Sequence, residues 1–337
     1  MSFTFIIPVI HPKSVQVSNY SHVEIVLRKT LESLKRQSFR EINIVVVCCQ
    51  IPSWASTIGD NIFFLDVSES DAFKPNPNSI KDASLRRYDL GLKVIVGALY
   101  AISKFETDLF MRVDADDYIN TQLAEYSLST FRRLSENSLV DGYKIKKGLA
   151  VEVSINQNHE IKYGSTYLMK DFDRACGSCH ILKKATLAKY ILKIDQNLFR
   201  ECTQQFNAIE GQQHTIPKGI LDWLGNITKQ DFAEEWHPVN ILGRHVKLES
   251  HMNFLSLPFL GASKACGHGN HVGPRKGGIY KQKVIGQVST RLFKYLFGVQ
   301  KAPKGLKGLL NVYLNVMFFT KLKQERIKQI VKSKTYR

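Results

Sequence analysis

Residues 42–49 read INIVVVCC, a run without charge and dominated by β-branched side chains. Such a run offers no polar face to water. It fits a strand covered on both sides, as in a parallel sheet sandwiched between helices. Phe3 to Ile10 (FTFIIPVI) has the same character, and Ile62 to Val67 is a shorter third example. Between the first two, Val23, Ile25, Val26, Leu31 and Leu34 recur at helical spacing within 23–36. Leu90 to Phe105 repeats that spacing with Leu92, Val96, Leu99, Tyr100 and Ile102, and a short strand, Asp108 to Val113, follows. This alternation predicts an α/β domain whose sheet is mostly parallel and flanked by helices. Residues 68–88, polar and holding Pro75 and Pro77, read as a surface loop. The stretch 141–170 alternates as hairpins do, and 180–195 and 199–210 have a helical pattern.

Bulk properties narrow the function classes. The chain has 337 residues, 44% hydrophobic and 23% charged, which supports a sizeable core and excludes disorder as its main state. Forty-seven Lys and Arg against 30 Asp and Glu give a formal charge of +17. That field attracts polyanions: nucleic acid, anionic lipid or phosphorylated ligands. Of the six cysteines, Cys176 and Cys179 have CxxC spacing, without a second pair to complete a zinc site. They read as free thiols in a reducing cytoplasm. The apolar N-terminus lacks a basic start and is interrupted by Pro8, so it reads as a strand rather than a signal peptide. The longest strongly apolar uncharged run, 308–320, has 13 residues, short of the roughly 20 that span a bilayer.

The last strand runs directly into Asp114-Ala115-Asp116-Asp117. Ligands of open α/β sheets sit beyond the carboxyl ends of the strands, where this tetrapeptide falls. Carboxylates so close repel one another, and a divalent cation relieves that repulsion. Oxygen ligands suit Mn²⁺ or Mg²⁺, with a ligand's phosphates completing the shell. If the strand's alternation continues, Asp114 and Asp116 point the same way, one toward a bound ligand and one toward the metal. The competing reading is helix capping, with Asp116 or Asp117 at the start of a helix from Thr121.

On these residues the chain resembles the family 2-type glycosyltransferases of GT-A fold. The likeness lies in FIIPVIHP, in NIVVVCCQ, in Asp89-Leu90-Gly91-Leu92-Lys93 and in MRVDADDYI. A bacterial subgroup is similar in further elements: D-x-G-x-K ending at Lys93, CGSCHILKK from Cys176, and LPFLGASKACGHGNHVG from Leu257. The resemblance covers about 1–275 and implies a nucleotide-sugar half at about 1–120 and an acceptor half at about 121–275. It implies a metal-dependent, inverting transfer of a sugar from a nucleotide-sugar, UDP-sugars favoured, to a glycan or lipid-linked glycan. Donor contacts would come from Pro8, Asp89, Lys93, Asp114 and Asp116, and metal contacts from Asp116, Asp117 and His268. The likeness departs after the second strand. Cys48-Cys49-Gln50 stand where such families carry an acidic residue for the nucleotide base.

Arg86 and Arg87 join Asp89 and Lys93 in a charged group suited either to phosphate or to a solvated face. An inverting transfer needs a general base. Glu235 is the first choice, with Asp231 and Glu234 beside it in QDFAEEW, Asp222 an outside choice, and His245 a competitor on resemblance. Residues 281–337 form a basic tail rich in Leu and aromatics. The tail reads as amphipathic helices lying on an anionic membrane surface, which suits a cytoplasmic enzyme peripheral to the inner face. The same helices could instead pack on the domain. A nucleic-acid-binding or metal-dependent nucleic-acid-processing protein is the alternative function. Nucleic acid is not the expected partner, because the basic residues concentrate in the tail rather than along one groove.

Overall fold

A computed structural model describes residues 1–75, 83–134, 140–169, 172–174, 176–192, 196–230, 252, 254–266 and 284–298. The apolar runs form the parallel centre of the sheet. Strand β1 (Phe3–Pro8) lies between β2 (Ile42–Cys48) and β4 (Leu109–Arg112), and β3 (Ile62–Asp66) flanks β2, all parallel. A short β9 (Gln213–Thr215) extends this side in parallel. On the other side the pairing turns antiparallel. β8 (His180–Lys183) joins β4 and β6 (Gly142–Ile155), and β6 pairs with β7 (Ile161–Met169). β11 (Val284–Val288) closes that side against β7. β10 (Phe254–Cys266) runs parallel to β6 and also pairs with the two-residue β5 (Tyr118–Ile119).

Alternation along the central strands divides the core in two. Phe3, Phe5 and Ile7 face α1 (Tyr20–Lys35), where Val23, Leu27, Leu31 and Leu34 repeat at the predicted helical spacing. Asn19 caps that helix, its side-chain oxygen accepting the Ser21 N–H at 3.0 Å. Ile6, Val45 and Val47 face α2 (Ala83–Lys104) with Leu92, Ile95, Val96 and Leu99. Gly97 brings α2 onto the sheet: a Cβ there would stand 2.6 Å from Ile6 Cγ2 and 3.0 Å from Val47 Cγ2. Helices α3 (Leu123–Leu134), α4 (Lys184–Leu192), α5 (Gln196–Asn207) and α6 (Lys218–Gln230) complete the layers, and α7 (Thr290–Leu296) follows β11.

The α/β class and the helix-flanked parallel centre are as the sequence predicts, and β6 and β7 form the hairpin expected within 141–170. Two local expectations change. Helix α2 starts at Ala83, inside the expected 68–88 loop, because past the prolines the residues are good helix formers. The expected helix over 180–195 begins only at Lys184. His180–Lys183 are drawn into the sheet by pairing with both β4 and β6, a tertiary gain that outweighs local preference.

The segment expected as a membrane-facing tail also begins differently. Phe293, Leu296 and Phe297 are buried with Tyr118, Leu149 and Val151, and Tyr118 meets Phe293 edge-on at 5.6 Å. The Thr121 N–H donates to the Leu296 carbonyl at 2.9 Å. Residues 284–298 are thus part of the folded body, and the tail beyond 298 lies outside the described residues. Among the described residues, no helix is long and apolar enough to cross a membrane.

Candidate active site

Parallel pairing brings the carboxyl ends of β1, β2, β3 and β4 to one rim. At the exit of β1, Pro8 is buried and the Val9 N–H donates to the Val47 carbonyl at 2.8 Å. The Val9 carbonyl accepts from Lys93 Nζ at 2.9 Å. That ammonium also meets Asp89 one helical turn earlier on α2, at 3.0 Å from Oδ2 and 2.9 Å from Oδ1. The Lys93 side chain is 1% exposed, against 32% for Asp89. Burial, the largest single influence, opposes the charge on Lys93, but Asp89 together with Cys49 and Cys48 outweighs it and the pKa stands above the ordinary lysine value. Lys93 is therefore an internal strut between helix and strand, and Asp89 is the member of the pair that reaches the rim. His11 lies beside them. Burial first, and then Lys93, hold its pKa below the usual histidine value, so it is neutral at pH 7.

At the exit of β2, burial pushes the Cys48 thiol well up and that of Cys49 up to about 11, so both stay protonated and unreactive at neutral pH. The carboxylate absent from this strand has a neighbour on the next one. The β2–β3 register sets Asp66 directly beside Cys48. Asp66 Oδ1 accepts the Ser68 N–H at 2.8 Å. Tyr20, its pKa raised by burial and then by Cys48, stands over the same corner. Neither Asp66 nor Tyr20 stands out in the sequence. Asp66 lies inside the predicted strand 62–67, a signal that gains meaning only once that strand is known to flank β2.

At the exit of β4 the acidic tetrapeptide is a turn, not a continuing strand. Strand β4 ends at Arg112, and the Asp117 N–H donates to the Asp114 carbonyl at 3.0 Å. Asp114 and Asp116 therefore do not alternate as strand residues. Arg112 Nη2 and Nε hold Asp114 Oδ1 at 2.7 and 3.2 Å. Asp117 turns inward and is 1% exposed. Its Oδ2 accepts from Ser178 Oγ at 2.7 Å and Cys176 Sγ at 2.9 Å. Asp116, like Asp114, is half-buried in this turn, which stands at the rim. The capping alternative fails, since α3 begins at Leu123 and Asn120 accepts the Gln122 N–H at 3.0 Å. Cys176 and Cys179 are buried free thiols.

Among the described residues, no three His, Cys, Asp or Glu side chains are grouped to hold a metal. A single carboxylate plus the phosphate oxygens of a ligand is a coordination that Mg²⁺ and Mn²⁺ accept, and Asp116 fits that role. His268, Glu235, Glu234, Asp231 and His245 lie outside the described residues, as do the side chains of Arg86 and Arg87. Asp222, on α6, accepts from Ser70 Oγ at 2.6 Å.

No family model matches the chain, and no curated protein matches it significantly. Among solved structures it is similar to S. aureus TarS at 16% identity with a TM-score of 0.33, over 64% of this chain and 35% of that one. The 1–349 form of TarS in complex with UDP aligns at 14% identity and TM-score 0.32, over 71% and 70%. Its complex with UDP-GlcNAc aligns at 15% and 0.29, over 65% and 60%. The chain thus spans about a third of the longer TarS structure.

Proposed function

We propose that this chain is a glycosyltransferase that takes a sugar from a nucleoside diphosphate sugar bound at the rim of β1–β4. The observation that carries the reading is the Asp114–Asp117 turn, which stands at the carboxyl end of a central parallel strand with Asp114 and Asp116 half-buried and Asp117 turned inward. Ligands of open α/β sheets bind at such rims. Asp114 would orient the donor. Asp116 would meet it through Mn²⁺ or Mg²⁺, which when bound neutralises charge on the departing diphosphate. Asp66 beside Cys48 would serve the base in place of the acidic residue missing after β2, with Asp89 alongside. Lys93 would act from behind, holding Asp89 and the Val9 carbonyl.

The acceptor would be a glycan or lipid-linked glycan, the transfer inverting, and the base one of Glu235, Asp231 or His245. The tail from 299 on would rest on an anionic membrane surface at the inner face. The test is a thermal-shift and binding panel of UDP- and GDP-sugars with Mn²⁺ against a labelled oligonucleotide. Stabilisation by a nucleotide sugar that depends on Mn²⁺ supports the reading. A response to the oligonucleotide alone would sink it in favour of nucleic-acid processing.

A further inference from the structure

A single buried hydroxyl ties together both ends of the acidic turn. Ser178 is 0% exposed; its Oγ accepts the Asp114 N–H at 2.8 Å and donates to Asp117 Oδ2 at 2.7 Å. A hydroxyl has one proton and two lone pairs, so both bonds form at once. The residue before it is pressed against the same turn. A Cβ on Gly177 would stand 2.5 Å from Asp114 Oδ2 and 2.7 Å from Arg112 Nη2. From the opposite side, Thr30 Oγ1 of α1 holds the Ala115 carbonyl at 3.0 Å. Asp114, Ala115 and Asp117 are each anchored by a side chain distant in sequence, which fixes the direction in which Asp116 leaves the corner.

We infer that Ser178 is a positioning residue for the donor site, bridging Asp114 and Asp117 so that the carboxylates of Asp114 and Asp116 meet the nucleotide in a fixed geometry. The inference rests on the donor reading above. It adds that the 176–179 segment, which leads into β8 beside the carboxyl end of β4, belongs to the site's machinery although it need not touch ligand. A misplacement of about 1 Å in a catalytic site costs on the order of a hundredfold in rate, and a loosened turn disturbs the donor contacts it carries.

The experiment compares the full chain with Ser178→Ala, Ser178→Cys and a remote control, Leu187→Ala. Leu187 is buried in α4, which follows β8 at the opposite end of β4 from the turn. Each protein is titrated with UDP and GDP in the presence of Mn²⁺, and amide hydrogen exchange is followed over 113–118. Ser178→Ala is expected to speed exchange in the turn, leave β1 and β4 protected, and weaken nucleotide binding by about tenfold or more. The Leu187→Ala protein, comparably destabilised, keeps wild-type affinity. Ser178→Cys, with a weaker donor and acceptor, falls between and serves if the alanine protein does not fold. Unchanged turn exchange overturns the inference, as does wild-type nucleotide affinity in a folded Ser178 variant, or an equal loss in the control. Failure of the wild-type chain to bind either nucleotide sinks the donor reading itself, and the role of Ser178 with it.

Discussion

Asp116 and Asp117 are adjacent in sequence, yet one stands at the corner of the turn and the other points into the protein. Their substitutions should separate accordingly. Asp116→Ala is expected to abolish Mn²⁺-dependent nucleotide binding while costing less stability than the loss of the buried Asp117. Asp117→Ala should lower stability by about 1–3 kcal/mol, because it strands the donors of Ser178 and Cys176. Urea unfolding of both proteins, paired with nucleotide titration, checks the contrast, and metal-dependent binding retained in Asp116→Ala refutes the assignment. Lys93→Met should cost about 2–4 kcal/mol. It leaves the Val9 carbonyl without its lysine donor and Asp89 without its cation, and the partial exposure of Asp89 moderates the loss. Lys93 looked from sequence like a phosphate ligand because charge and spacing carry no information on depth.

At the scale of elements, the strands were legible where hydrophobicity alone specifies them. INIVVVCC and FTFIIPVI became β2 and β1 with little adjustment, and the i, i+4 pattern of α1 became its buried face. The acidic tetrapeptide was legible in place but not in shape. Its turn is secured by Ser178, which is 64 residues away, and by Thr30, 85 residues from the Ala115 it holds, and no local window records those contacts. His180–Lys183 failed for the same reason, being apolar enough for either state until β4 and β6 claimed them. Gly97 makes the packing testable. Helix propensity alone favours Gly97→Ala by about 1 kcal/mol, but crowding against Ile6 and Val47 should cost about 1–3 kcal/mol. Net destabilisation in urea unfolding is the expected result; a more stable protein would show that α2 shifts freely on the sheet.

At the scale of the whole molecule, two of the described histidines tie stability to pH. Burial, the largest cause for each, lowers the pKa of His11 and His214 below the ordinary 6.5. The unfolded chain therefore binds more protons than the folded one between the folded values and 6.5. Stability rises with pH through that window and is lost as pH falls below 6.5. Urea midpoints should drop on acidification over this range, and His11→Gln with His214→Gln should flatten the slope; an unaltered slope assigns the dependence to other groups.

The placement of β11 bears on how the basic tail can be studied. β11 covers the outer side of β7, and α7 covers Tyr118 and the apolar face of β6. A chain cut near Gly278 would lose both, baring a row of unpaired backbone groups beside an uncovered aromatic cluster. Exposed edges of that kind recruit other strands and aggregate, and aggregates sediment with or without lipid. A truncation made to test membrane attachment must therefore retain residues through 298. Full-length protein and that longer truncation should remain equally monodisperse in light scattering, and the shorter one should not.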